Sequence, residues 1–152
     1  MAIKISPTRL VAIAVLYAII GEAVMTLGAM ADMNYYMDSN YFPVWSKIMM
    51  PAAGPPPAAF MYTGIIFQLI TGFFFAFVYA VLKGAVPGTG WKNRGLMYGF
   101  LVFLVAGIPT TLMLILLINL PLGLLISWLL QSLVVYLLAG LVAAKIINDR
   151  KK

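Results

Sequence analysis

Cysteine and histidine are both absent from the 152 residues. Without thiolate or imidazole, the usual zinc sets, His- or Cys-ligated haem, iron–sulfur ligation and Cys- or His-based catalysis are excluded together. The missing thiols also leave the redox compartment unreadable. Charge is almost as scarce: ten Lys and Arg with four Asp and Glu make up 9% of the chain, against 64% hydrophobic residues. A soluble domain carries about 25% charged residues, because its whole surface must meet water. With a mean hydropathy of +1.03, lipid is expected to cover much of this one. The length suits a single domain. A net charge of +6 would suggest nucleic acid in a soluble chain. Here the basic residues stand at the ends of apolar runs, so the expected partner is a lipid bilayer and no nucleic acid.

Long apolar runs are what the sequence does have. A membrane-crossing helix needs about 20 mostly apolar residues, and four stretches qualify, at 10–31, 60–83, 95–118 and 122–146. The third and fourth meet at Asn119-Leu120-Pro121, a tight turn that predicts an antiparallel helical hairpin. The second and third are separated by Gly84-Ala85-Val86-Pro87-Gly88-Thr89-Gly90, whose Pro and Gly break a helix. The expected fold is therefore all-α: an integral membrane four-helix bundle of two antiparallel hairpins.

Orientation follows from the basic residues, which favour the cytoplasmic side. Lys4 and Arg9 precede the first run, Lys83, Lys92 and Arg94 bracket the second loop, and Lys145, Arg150, Lys151 and Lys152 close the chain. The first loop, 32–59, has only Lys47 beside Asp32 and Asp38, and the Asn119 turn has no charge. Both termini are thus expected to be cytoplasmic, in the cell membrane. Lys4 and Arg9, the apolar run after them and Ala29-Met30-Ala31 also resemble a secretory signal with a small-residue cleavage site. The run is long enough to span, and a retained first helix is the expectation.

The outer loop carries Tyr35, Tyr36, Tyr41, Phe42 and Trp45, then the proline-rich stretch from Pro51 to Pro57. Such aromatics suit the headgroup level. Ser39 or Asn40 is placed to cap a short helix with Pro43 near its first turn, laying Phe42, Trp45, Ile48 and Met49 along the interface. Asp32, Asn34, Asp38 and Asn40 lack the spacing and closing Glu of a calcium loop, so a solvated turn is expected and no metal.

Glu22 is the one acid well inside a predicted span, where an ionisable group costs a few kcal/mol and faces inward by default. Ala14, Ala18, Glu22 and Thr26 form a stripe of small residues, as do Gly64, Gln68, Gly72, Ala76 and Ala80, the kind that lets helices approach closely. The third run has Gly99, Phe103, Gly107 and Thr111 near Pro109, and the fourth Gly123, Ser127 and Gln131. At 1.5 Å rise per residue, Glu22 lies about 13 Å from the outer end of its run, Gln68 about 12 Å, Thr111 about 10 Å and Gln131 about 13 Å. One polar layer, Glu22, Gln68, Thr111 and Gln131, is predicted in the outer half of the bundle. It reads either as a hydrogen-bonded clamp between hairpins, which is favoured, or as a proton- or cation-responsive site. Of the aromatic run Phe73, Phe74, Phe75, Phe77 and Tyr79, most are expected to face lipid, because consecutive residues point all round a helix. Lys83, Lys92 and Arg94 are placed to meet anionic headgroups at the inner surface.

Tyr79-Ala-Val-Leu-Lys83, Pro87-Gly88, Trp91-Lys92-Asn-Arg-Gly95-Leu-Met-Tyr-Gly99, Asn119-Leu-Pro121-Leu-Gly123 and the Gly140 region resemble a family of small prokaryotic four-helix integral membrane proteins with no assigned activity. The resemblance covers roughly the last 90 residues and implies a fold but no chemistry. Small multidrug antiporters are similar only in having four spans and a Glu in the first; the long outer loop and strong charge bias here differ from theirs. The expected function is a non-enzymatic structural or partner-binding subunit of a membrane assembly, needing no cofactor. The alternative is a small proton- or cation-coupled transporter or channel-forming homo-oligomer centred on Glu22. An intramembrane enzyme is disfavoured, since one buried acid has no second acid, Ser–Lys pair, His or Cys beside it.

Overall fold

Residues 6–52 and 55–148 are described by the computed structural model, the side chain of Asn148 excepted. Their regular structure is all helical, with no strand among the described residues. Helix α1 (Pro7–Ala31) is followed by a single turn, α2 (Met33–Tyr36), and by a 3-10 helix (Ser39–Val44). Helix α3 is Ala58–Leu82. The third long helix is composite: α4 (Gly90–Val102), a π-helical turn (Phe103–Gly107) and α5 (Ile108–Leu117). Helix α6 (Leu122–Asn148) ends the described chain. All four long helices are apolar enough to cross a membrane, as a multi-pass membrane protein requires.

The helix ends have local causes. Pro7 occupies the first turn of α1, where a missing N–H costs nothing. The chain between α3 and α4 turns on Gly88 (φ +127°) and Gly90 (φ +73°), the two described residues with positive φ. The third long helix begins at Gly90, five residues earlier than 95, the expected start. The polar stretch Trp91-Lys92-Asn93-Arg94, read as loop, forms the first turn of a helix that continues unbroken. Pro109 cannot donate to the carbonyl four residues back, and its ring crowds that turn. The π-helical turn lies immediately upstream, the kind of local adjustment that absorbs a proline within a helix.

Packing follows the glycines. A Cβ at Gly72 would sit 2.9 Å from the Ala14 Cα, and one at Gly95 would sit 2.6 Å from the Gly140 carbonyl oxygen. One at Gly99 would overlap the Tyr136 carbonyl oxygen outright. Gly21 lies against Gln68 where Gly72 lies against Ala14, and the Gly95 and Gly99 contacts likewise run in opposite sequence directions, so α1 lies antiparallel to α3, and α4 antiparallel to α6. Helix α1 also packs on α6. The core between them holds Ile13, Tyr17, Phe75, Ala76, Tyr79, Tyr98, Val135, Ala139 and Ala143. Its aromatic part is tightly knit: the Tyr98 ring stands edge-on to Phe75 at 4.8 Å and to Tyr79 at 5.0 Å. The Tyr98 hydroxyl donates to the Phe75 carbonyl at 2.8 Å. Phe73, Phe74 and Phe77 point outward, while Phe75 and Tyr79 fill the core. The outer faces of the long helices are themselves apolar, with Leu27, Phe67, Val105 and Leu116 more than half exposed, a surface suited to lipid.

Candidate functional site

Two ends of the molecule differ in chemistry. The first, called here the basic end, gathers Arg9, Trp91, Lys92, Arg94 and Lys145. Arg9 donates through Nη1 to the Ile146 carbonyl at 2.9 Å, placing a cation on the carbonyls that the last turn of α6 leaves unpaired. Lys92 and Lys145 stand over the Trp91 ring at 5.6 and 5.8 Å from its centroid. Arg94 donates from Nε to the Gly88 carbonyl at 3.0 Å and fixes the turn before its own helix. Lys83 is exposed where α3 ends. Lys4, Arg150, Lys151 and Lys152 lie outside the described residues.

At the opposite, loop end, Asp32 closes α1 and is 7% exposed. Its Oδ2 accepts from the Ser127 hydroxyl at 2.7 Å and from Gln131 Nε2 at 3.2 Å, and Gln131 Nε2 also donates to Ser127 Oγ at 3.0 Å. A carboxylate at a helix C-terminus faces the negative end of the helix dipole; these two donors from α6 offset that. Asp32 was expected in a solvated turn, and the structure corrects this: it is a buried link between α1 and α6. Asp38 does have the expected character, accepting from the Asn40 N–H at 3.0 Å to cap the 3-10 helix.

Above this link the loop folds back on α6. Trp128 Nε1 donates to the Tyr36 hydroxyl at 2.9 Å, and the Trp45 ring lies 5.3 Å from Tyr36 and 6.3 Å from Trp128. Tyr35 covers Gly123. Burial raises the pKa of Tyr36; the Trp128 N–H bond opposes the rise and the neighbouring Asp32 adds to it. The expected short helix is present as a 3-10 turn, but its cap is Asp38 in place of Ser39 or Asn40, which lie within it, and Trp45 at its end rests on protein aromatics.

The four residues of the predicted polar layer are distributed unevenly. Gln68 and Gln131 face the same cavity of about 210 Å³ between α1, α3 and α6, lined also by Tyr17, Met25, Trp128, Ser132, Val135 and Tyr136. Gln68 Nε2 donates to Met25 Sδ at 3.0 Å, and its amide lies against Gly21, as that of Gln131 lies against Gly28. Thr111 is buried but bonds its own helix, donating to the Gly107 carbonyl at 3.0 Å. Glu22 stands apart. It is half-buried in the seam of α1 and α3, with Oε1 3.6 Å from where a Cβ on Gly64 would lie. It forms no hydrogen bond or ion pair among the described residues. The structure joins Glu22 to neither glutamine.

Tyr17, Trp128 and Tyr136 are site residues that the sequence alone did not single out, and Asp32 was read there only as part of a solvated turn. Trp128 lies one turn before Gln131 on α6, and that spacing was the available signal. Comparison with known proteins adds nothing to the geometry: the chain matches no protein-family model, no curated protein and no solved structure.

Proposed function

We propose that the chain is a non-enzymatic, multi-pass protein of the cell membrane that serves as a partner-binding or structural subunit of a membrane assembly. In this reading the four helices form a bundle of two antiparallel hairpins. Both termini and the basic end are cytoplasmic, and Lys83, Lys92 and Arg94 meet anionic headgroups there.

Glu22 carries the proposal. It lies about 13 Å from the end of α1, counted at 1.5 Å per residue, half-buried on the edge of a helix pair, with no hydrogen-bond or ion-pair partner among the described residues. A carboxyl at such depth costs a few kcal/mol unless a base or donor meets it. Every Lys and Arg of the chain sits at 4, 9, 47, 83, 92, 94, 145 or 150–152, and the described ones lie near helix ends or in loops. A second copy therefore brings no base to this depth, whereas a different protein with an intramembrane Lys or Arg does. Native mass spectrometry from mild detergent tests this. A heterologous subunit bound to the chain supports the reading, and a free chain or a homo-oligomer alone rejects it.

A second reading, a small proton- or cation-coupled transporter or channel-forming oligomer centred on Glu22, rests on that same half-buried carboxyl, which lies outside the cavity that Gln68 and Gln131 line. It requires that Glu22→Gln abolish a coupled flux in proteoliposomes while assembly survives.

A further inference from the structure

The cavity between α1, α3 and α6 has a consistent chemistry. Tyr17, Trp128 and Tyr136 give it aromatic walls, and no Lys or Arg lines it. Gln131 commits its amide nitrogen to Asp32 Oδ2 and Ser127 Oγ. The carboxylate fixes that orientation, because an amide oxygen turned toward it would be repelled. Gln68 likewise commits its nitrogen to Met25 Sδ, and Ser132 donates its hydroxyl proton to the Leu129 carbonyl at 2.7 Å. Gln131 is thus left with an oxygen that accepts and no N–H to donate, while Gln68 keeps one N–H beside its accepting oxygen. The hydroxyls of Tyr17 and Tyr136 can serve either way. One hydrogen bond behind the wall stands the Asp32 carboxylate.

Acceptors, π faces and a nearby negative charge, with no cation in the lining, select against an anion and favour a positively charged guest. We propose that this cavity binds a small organic cation of the quaternary-ammonium class. The aromatic walls hold the charged headgroup, the glutamine amides border it, and Asp32 supplies the long-range counter-charge. Trp128, pinned by Tyr36 and Trp45, forms the loop-side wall. The site belongs to the isolated chain and does not depend on the partner reading built on Glu22, which lies outside the lining.

The test uses the purified full chain in non-ionic detergent, with choline and its neutral isostere 3,3-dimethylbutan-1-ol as probes in equilibrium binding. Choline should bind saturably at one site per chain, and the isostere about tenfold or more weaker, the ratio expected for a desolvated cation–π contact. Ser132→Phe, which fills the cavity and leaves Asp32, Ser127 and Gln131 in place, should abolish choline binding with the melting transition retained. Equal binding of the two probes, no saturable choline binding, or undiminished binding by folded Ser132→Phe would each overturn the proposal. The probe comparison on the wild-type chain decides it even where the variant does not fold.

Discussion

Replacing Asp32 by Ala removes the acceptor on which α6 converges at the loop end. Two hydrogen bonds are lost, at 2.7 Å from Ser127 and 3.2 Å from Gln131, while the Gln131–Ser127 bond at 3.0 Å remains. Bonds to a charged group contribute about 1.5–3 kcal/mol each in protein interiors. Hydrogen bonds between helices within bilayers average only about 0.6 kcal/mol. Asp32 closes a span, between these two settings, and the surviving donor–acceptor pair limits the loss. A destabilisation of about 1–3 kcal/mol follows. Asp32→Asn keeps an acceptor without its charge and should lose roughly half as much. The assay is reversible unfolding in mixed detergent–SDS micelles, followed by circular dichroism, on Asp32→Ala, Ser127→Ala and the double variant. Because both singles break the same bond, their effects should fall short of additive by more than about 0.5 kcal/mol. Strict additivity would refute the claim that this link holds α1 to α6.

Other outcomes follow from separate parts of the structure. Gly99→Val places side-chain atoms where the Tyr136 carbonyl now lies, and the forced separation of α4 from α6 should cost about 1–3 kcal/mol or more in the same unfolding assay. Arg9→Gln removes the cation from the Ile146 carbonyl; about 0.3–2 kcal/mol should be lost, with faster amide exchange in the last turn of α6 but not at its loop end. Tyr36 has its pKa raised, chiefly by burial. Above the ordinary tyrosine value near 10 the unfolded chain therefore ionises first, and stability falls as pH rises by at most about 1.4 kcal/mol per pH unit for this group. Tyr36→Phe should flatten that alkaline decline, and an unchanged slope would contradict the assignment. Since the chain has no native cysteine, Ser46→Cys and Gly84→Cys report topology directly: an impermeant maleimide should label the first from outside intact cells and the second only after lysis.

How much was legible beforehand depends on the range of the interaction. Apolar runs are local, so the four spans were readable to within a few residues, Gly90 excepted, where Lys92 and Arg94 masked a helical start. Small residues that let helices touch were legible in part: Gly72 and Gly99, read in such stripes, stand at close crossings, and so do Gly95 and Gly140. The polar layer was only half a geometrical fact. Depth counted along each helix put Gln68 and Gln131 at one level, and they do share a cavity. Depth says nothing of azimuth, however, and azimuth turns Glu22 onto the α1–α3 seam and ties Thr111 to its own backbone. Asp32 escaped because a polar residue at a helix end reads as solvated. Only the fold-back of the loop, through Tyr36, Trp45 and Trp128, buries it.

The central functional claim rests on the unpartnered Glu22 carboxyl meeting a base on another protein. The most direct measurement is the stoichiometry of whatever co-purifies with the wild-type chain, compared with Glu22→Gln and Glu22→Asp, each solubilised from membranes in the same mild detergent. A heterologous subunit should accompany the wild-type chain, be lost from Glu22→Gln and be at least partly retained by Glu22→Asp, with the chain's own unfolding transition unchanged in all three. An equal complement of the same subunit on Glu22→Gln, or none on the wild-type chain, would contradict the account.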